Sequence, residues 1–189
     1  MRLFVAVDLS DDARQAIAAE QKRIALALAE AKTRLKWVQS EHLHLTLVFL
    51  GEVEDARVPP VTDAVGCDVD APPFDVTFSG AGVFPPHRAP RALWIGITAG
   101  VAELTALQKE LARRVAGTGV ELDGRPFSPH LTLGRWRTSR SSDGRRALAA
   151  AAQGAIARMR VAAATLYQSQ LSSSGPTYTA RARANLARL

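Results

Sequence analysis

The tetrapeptide His-Leu-Thr-Leu occurs twice, at residues 44–47 and again at residues 130–133. Each copy lies in a short apolar run that reads as a β-strand, where residues i and i+2 point to one face and i+1 to the other. The leucines are accounted for by core packing. His44 with Thr46, and His130 with Thr132, are then left on the faces away from that core. Strict alternation carried further puts Val48 beside Thr46 and turns Phe49 inward with Leu43, Leu45 and Leu47. If the two halves of the chain face each other across a pseudo-twofold axis, two His-Thr pairs look into one cleft.

The flanking sequence supplies the elements for such a fold. Leu3 to Leu9 reads as a strand, and Ser10 can cap a helix with Asp11 and Asp12 in its first turn. Ile17, Ile24, Leu28, Ala31 and Leu35 predict an amphipathic helix stripe. Lys36-Trp37-Val38 is a brief strand, the first motif strand runs from about Leu43 to Leu50, and Gly51 ends it. Pro59-Pro60 opens a helix toward Cys67. Phe74 to Val83 and Arg91 to Thr98 read as strands separated by a loop at Pro85-Pro86-His87. Leu104, Leu107, Leu111 and Val115 mark a second amphipathic helix, closed by Gly117 and Gly119. After the second motif come an Ala-rich helix from about Ser142 to Ala155 and two strands near Val161–Leu171 and Thr177–Leu186. The expected class is α+β: one domain over residues 1–189, with two pseudo-symmetric lobes, each an antiparallel sheet with outer helices, around a central cleft.

Composition narrows the functional classes. The chain has 189 residues, 47% hydrophobic and 22% charged, with a net charge of +6. Its basic side is mostly arginine, whose planar fork suits phosphate, although a general bias toward Arg and Ala also explains the excess. Cys67 is the only cysteine, which excludes an intrachain disulfide and a Cys-rich zinc site. The opening apolar run is too short for a signal peptide, and no stretch approaches the roughly 20 apolar residues of a membrane span. The expectation is a cytoplasmic monomer. No P-loop or dinucleotide glycine pattern is present, so no nucleotide cofactor is expected.

Two imidazoles and two hydroxyls suit phosphodiester chemistry. Histidine titrates near neutral pH, so one ring can take a proton from a nucleophile while the other gives one to a leaving oxygen. Threonine hydroxyls can donate to the non-bridging phosphate oxygens. One His-x-Thr alone is better read as a strand histidine bonded to backbone; two identical copies in strand contexts favour the functional reading. A metal site competes with it. His42 and His44 at i, i+2 on a strand, with His130 as third ligand, resemble a zinc donor set, but no carboxylate accompanies them and the threonines stay unexplained. Trp37 and Trp94 are expected in the core, Trp136 at the cleft rim, and His87 at the surface. The segment Arg137–Arg146 reads as a solvated loop.

The residues Trp37-Val38-Gln39, His42 to Gly51 and Arg91-Ala92-Leu93-Trp94 resemble the first half of bacterial and archaeal RNA 2′,3′-cyclic phosphodiesterases. These two-histidine phosphoesterases are also called 2′-5′ RNA ligases. Phe127 to Arg135 is similar to their second motif, Leu166 to Leu171 with Gly175 to Tyr178 to their closing strand pair, and Arg2 to Leu9 to their opening. The resemblance implies two lobes about a water-filled cleft and the opening of a terminal 2′,3′-cyclic phosphate of RNA to a 2′-phosphate without metal or other cofactor. It gives His44 the role of proton donor and His130 that of acceptor, which the identical motifs themselves leave open. It also implies that Phe49 and Arg135 hold the terminal nucleotide, against the inward direction that alternation gives them. Expected partners are RNA 3′ ends or small cyclic-phosphate nucleotides, with 2′-5′ ligation as related chemistry. The alternative is a module that binds RNA ends or cyclic nucleotides without turnover.

Overall fold

The computed structural model describes residues 1–29, 35–172 and 175–187. Ten strands and four helices follow in the order β1 (Arg2–Asp8), α1 (Asp11–Leu28), β2 (Leu35–Trp37), β3 (His44–Glu52), α2 (Val58–Gly66), β4 (Val69–Asp70), β5 (Phe74–Phe84), β6 (Ala92–Ala99), α3 (Val101–Gly117), β7 (His130–Trp136), α4 (Ser141–Ala150), β8 (Ala155–Val161), β9 (Ala163–Ser172) and β10 (Gly175–Ala187). They form two five-stranded sheets, ordered β3-β1-β9-β10-β4 and β2-β7-β6-β5-β8. Pairing is antiparallel except between β10 and β4. The α+β class with two lobes is what the sequence led us to expect.

The pseudo-symmetry is clearest with the extra strands β4 and β2 set aside. Then β3-β1-β9-β10 matches β7-β6-β5-β8, and each motif strand pairs with the same kind of neighbour. The lobes are not the two halves of the chain, however. The first sheet takes its strands from both ends of the sequence, and the second takes the middle plus β2. Helices cross as well: α1 follows β1 of the first sheet but packs on β8 and α4 of the second. In return, α3 follows β6 of the second sheet and packs on β3 and α2. Apolar residues from both sheets and all four helices form the buried core.

Local signals explain most elements. The Ser10 hydroxyl accepts a hydrogen bond from the Ala13 amide at 3.3 Å and starts α1. Ile17, Ile24 and Leu28 are buried as the stripe predicts. Leu35 belongs to β2 and not to the helix, and Ala31 lies outside the described residues. The Ala-rich helix stops at Ala150, earlier than its composition suggests. The Ala152 amide donates to the buried Glu20 carboxylate at 2.8 Å, and the chain from Ala155 pairs with β5. Tertiary pairing overrides the helix preference of alanine there. No helix among the described residues is long and apolar enough to cross a membrane.

Candidate active site

Both motif strands break their alternation at the third residue after the histidine. On β3, Val48 pairs with Val5 and Thr46 with Ala6, so Leu47 is an extra, bulged residue. On β7, Gly134 pairs with Leu93 and Thr132 with Trp94, which leaves Leu133 bulged in the same way. A bulge shifts every later side chain to the other face. Val48 and Gly134 are therefore buried, while Phe49 and Arg135 emerge exposed on the side of the histidines and threonines. This corrects the inward direction expected for Phe49 and the outward one expected for Val48. Gly134 was the visible signal, because its position is crowded: a Cβ there would meet the Lys36 carbonyl oxygen at 3.1 Å and Leu35 at 3.0 Å. The Leu133 carbonyl is held by the Val38 amide and the Gln21 side chain, both at 2.9 Å.

The two imidazoles are oriented alike. His44 Nδ1 lies 2.7 Å from the His42 carbonyl oxygen, and His130 Nδ1 lies 2.8 Å from the Ser128 carbonyl oxygen. A carbonyl only accepts, so each Nδ1 carries a proton and each Nε2 is left to take or give one. Neither the Thr46 nor the Thr132 hydroxyl bonds to another group among the described residues, so both can donate to a ligand.

Aromatic rings frame each histidine. Phe4 stacks on His44 at 4.9 Å between centroids, and Tyr178 meets it edge-on at 5.4 Å. Around His130 the corresponding rings are Phe84 at 5.1 Å and Trp94 at 6.0 Å. Trp94 lies against Gly82, where any Cβ would overlap its indole. The expected placements of two tryptophans are thus exchanged: Trp94 serves the site, and Trp136 is buried. His87 is exposed as expected.

His42 is not on the motif strand. It ends a short 3₁₀ turn, Ser40–His42, and offers His44 its carbonyl, while its ring meets Tyr178 at 5.0 Å. The i, i+2 strand geometry assumed for a His42–His44 metal pair is therefore not the arrangement found. Among the described residues no group of three His, Cys, Asp or Glu side chains is placed to hold an ion.

Charge differs between the two histidines. The cross-strand partner of His44 is Asp8, whereas that of His130 is Gly96. Asp8 accepts hydrogen bonds from Tyr167 at 2.6 Å and Thr165 at 2.9 Å, which fix its carboxylate. Burial holds the His44 imidazole below the ordinary histidine range, while the bond to the His42 carbonyl and the Asp8 charge oppose that shift. Burial, with the bond to Asp8, pushes the Tyr167 phenol up to about 12. Asp8 was missed in the sequence, where it is only one residue of the strand Leu3 to Leu9.

The two motifs are neighbours, with strands β3 and β7 in contact. Burial also raises the pKa of Tyr178, beside His44, and the guanidiniums of Arg135 and Arg2 draw it partly back. Arg2 in turn lies 5.1 Å over the exposed Phe49 ring. Arg135 from the second motif thus acts on the surroundings of the first.

Comparison with known proteins shows the family. The family model of the 2′-5′ RNA ligase superfamily matches residues 21–172. An RNA 2′,3′-cyclic phosphodiesterase of Methanothermobacter thermautotrophicus is 33% identical over 181 residues, covering 95% of each chain. A crystal structure from Thermus thermophilus superposes with a TM-score of 0.79 at 28% identity, covering 100% of this chain and 98% of that one. Escherichia coli LigT complexed with 3′-AMP gives 0.77 at 27% identity, covering 98% and 97%. The chain belongs to the 2′-5′ RNA ligase superfamily.

Proposed function

We propose that this protein is an RNA 2′,3′-cyclic phosphodiesterase that opens the terminal cyclic phosphate to a 2′-phosphate by acid–base catalysis from His44 and His130. The observation that carries the reading is the matched pair of imidazoles, each pinned through Nδ1 and open at Nε2, each with an unbonded threonine hydroxyl two residues on. A water oxygen bonds to phosphorus and gives its proton to Nε2 of His130. The bond from phosphorus to O3′ breaks, and His44 supplies the proton that O3′ needs. Thr46 and Thr132 donate to the non-bridging oxygens, where negative charge persists through the transition state. The exposed Phe49 ring and the Arg135 guanidinium offer flat surfaces for the terminal base.

His44 must be charged to act as donor, and its burial opposes this. Asp8 favours the imidazolium, and an arriving phosphate anion adds a second negative charge beside it. His130 has Gly96 in the place of Asp8, so no carboxylate faces it across the ladder. No step requires a metal.

The test is product analysis of an RNA oligomer ending in a 2′,3′-cyclic phosphate, with EDTA present. The expected product is the 2′-phosphate. Tight binding without turnover would make the protein a binding module. Activity lost in EDTA and restored by zinc would point to metal chemistry at His42, His44 and His130.

A further inference from the structure

Beside the histidine cleft, at one end of the second sheet, lies a cavity of about 520 Å³ that the hydrolytic scheme does not use. That volume falls within the range of ordinary ligand sites. Its walls come from the segment after β5 and from the end of β7 with the segment after it. Arg88, Arg91 and Arg137 line it, and Pro90 and Trp136 contribute buried surface. All three arginines are exposed, and none is ion-paired with a carboxylate among the described residues. The walls are tied to each other: Ser139 Oγ donates to the Pro90 carbonyl at 2.5 Å, and the Trp136 amide donates to the Arg91 carbonyl at 3.0 Å. Three unpaired guanidiniums around a braced notch make an anion site, since each fork can give two parallel hydrogen bonds to phosphate.

Its position indicates which anion. Phe84, whose ring touches His130, is followed directly by the loop that forms one wall. Arg135, exposed on the cleft side, is followed directly by Trp136 of the other. Arg91 precedes Ala92, the cross-strand partner of Arg135. The notch begins on the order of 13 Å along β7 from Thr132, at about 3.3 Å per strand residue. That is too far for the terminal cyclic phosphate but in line with a strand leaving the cleft over Arg135.

We propose that Arg88, Arg91 and Arg137 form a second phosphate site that holds the RNA backbone upstream of the cyclic end. The proposal rests on the phosphodiesterase reading and narrows it: the enzyme prefers an oligonucleotide to a free cyclic mononucleotide, which it still turns over more weakly. Phosphate contacts carry no sequence information, so the site favours chain length over sequence.

The triple variant Arg88→Ala, Arg91→Ala, Arg137→Ala tests this against the parent protein with two probes, 2′,3′-cyclic AMP and an RNA hexamer ending in a 2′,3′-cyclic phosphate. Hydrolysis of the mononucleotide should stay within about twofold. KM and Kd for the hexamer, the latter by fluorescence anisotropy, should rise at least about tenfold, the worth of one or two charged hydrogen bonds. The salt dependence of hexamer binding should weaken, since each lost phosphate contact removes about 0.7 from the logarithmic slope. Equal loss for both probes, or none for either, overturns the proposal. If the triple variant does not fold, Arg137→Ala and Arg88→Ala separately, read by the same hexamer-to-mononucleotide ratio, decide it. Parent protein that turns over neither probe defeats the phosphodiesterase reading, while the anisotropy comparison still judges the notch.

Discussion

Strands β3 and β7 carry the same tetrapeptide, bulge at the same residue and pin their histidines through the same kind of carbonyl, yet they sit in different places. β3 is an edge strand, and β7 is flanked by β2 and β6. The edge position tolerates Val48 after the bulge, whereas β7 needs Gly134 because β2 presses against it. His44 faces Asp8 across the ladder, and His130 faces Gly96. Two equal motifs thus acquire unequal charge environments from their neighbours, which provides a physical basis for unequal roles.

The largest expected effect treats the two strands alike. His44→Ala and His130→Ala should each lower kcat by about 10²–10⁴, the usual worth of one acid or base. Each variant should lose one limb of a bell-shaped pH–rate profile, measured by initial rates on a cyclic-ended RNA. If the rate were indifferent to either change, the symmetry of the chemistry would be broken and the proposed mechanism with it.

Next come the hydroxyls. Thr46→Ala and Thr132→Ala each remove a hydrogen bond to a charged phosphate, so kcat/KM should fall by roughly 10–100-fold. Similar losses mean that both grip the phosphate. A neutral Thr132→Ala would leave that task to the first strand.

Asp8→Asn probes the asymmetry directly. Loss of its negative charge takes the His44 pKa lower still. A donor His44 then gives up its proton at lower pH, so the alkaline limb of the kcat profile should move toward acid while the limb set by His130 stays put. Movement of the acid limb instead would exchange the two roles. The expected change in rate near the optimum is only a few-fold.

The smallest effect is structural. Gly134→Ala forces a methyl group against the Lys36 carbonyl, so about 1–3 kcal/mol of stability should be lost. That corresponds to a fall in Tm of roughly 2–4 °C per kcal/mol for a domain of this size. Val48→Ala removes buried apolar surface and introduces no atom, so it should show lost burial without a clash. A calorimetric scan of both separates crowding from lost burial.

The sequence displayed the site better than its wiring. The repeated His-x-Thr needs only period two to be read, and the leucines at 45, 47, 131 and 133 are all buried. The direction of Phe49 and Arg135 was nearly hidden, because a bulge is a register event between strands; Gly134 alone hinted at one, and only on the second motif strand. Asp8 was hidden for a related reason: its partner His44 is set by pairing, and its own hydroxyl partners lie far along the chain on β9. The strand Ala155–Val161 was lost to its alanines, whose helix preference yields to pairing with β5. Trp94 and Trp136 could not be told apart by residue type: the shift at Leu133 turns Trp136 inward, while Trp94 takes its place from pairing with Thr132.

The interleaving of the first sheet also bears on how the protein comes into being. β1, among the earliest residues synthesised, finds one of its two partners in β9, with Leu3 opposite Gln168. Tyr178, which walls in His44, lies later still on β10. Such distant pairings close large loops and form slowly. On the ribosome, the middle of the chain can assemble the surroundings of His130 while His44 still lacks its wall. The two-histidine cleft is then completed only by β10, the last strand in the chain order, so a chain truncated before it would carry both histidines and no finished cleft.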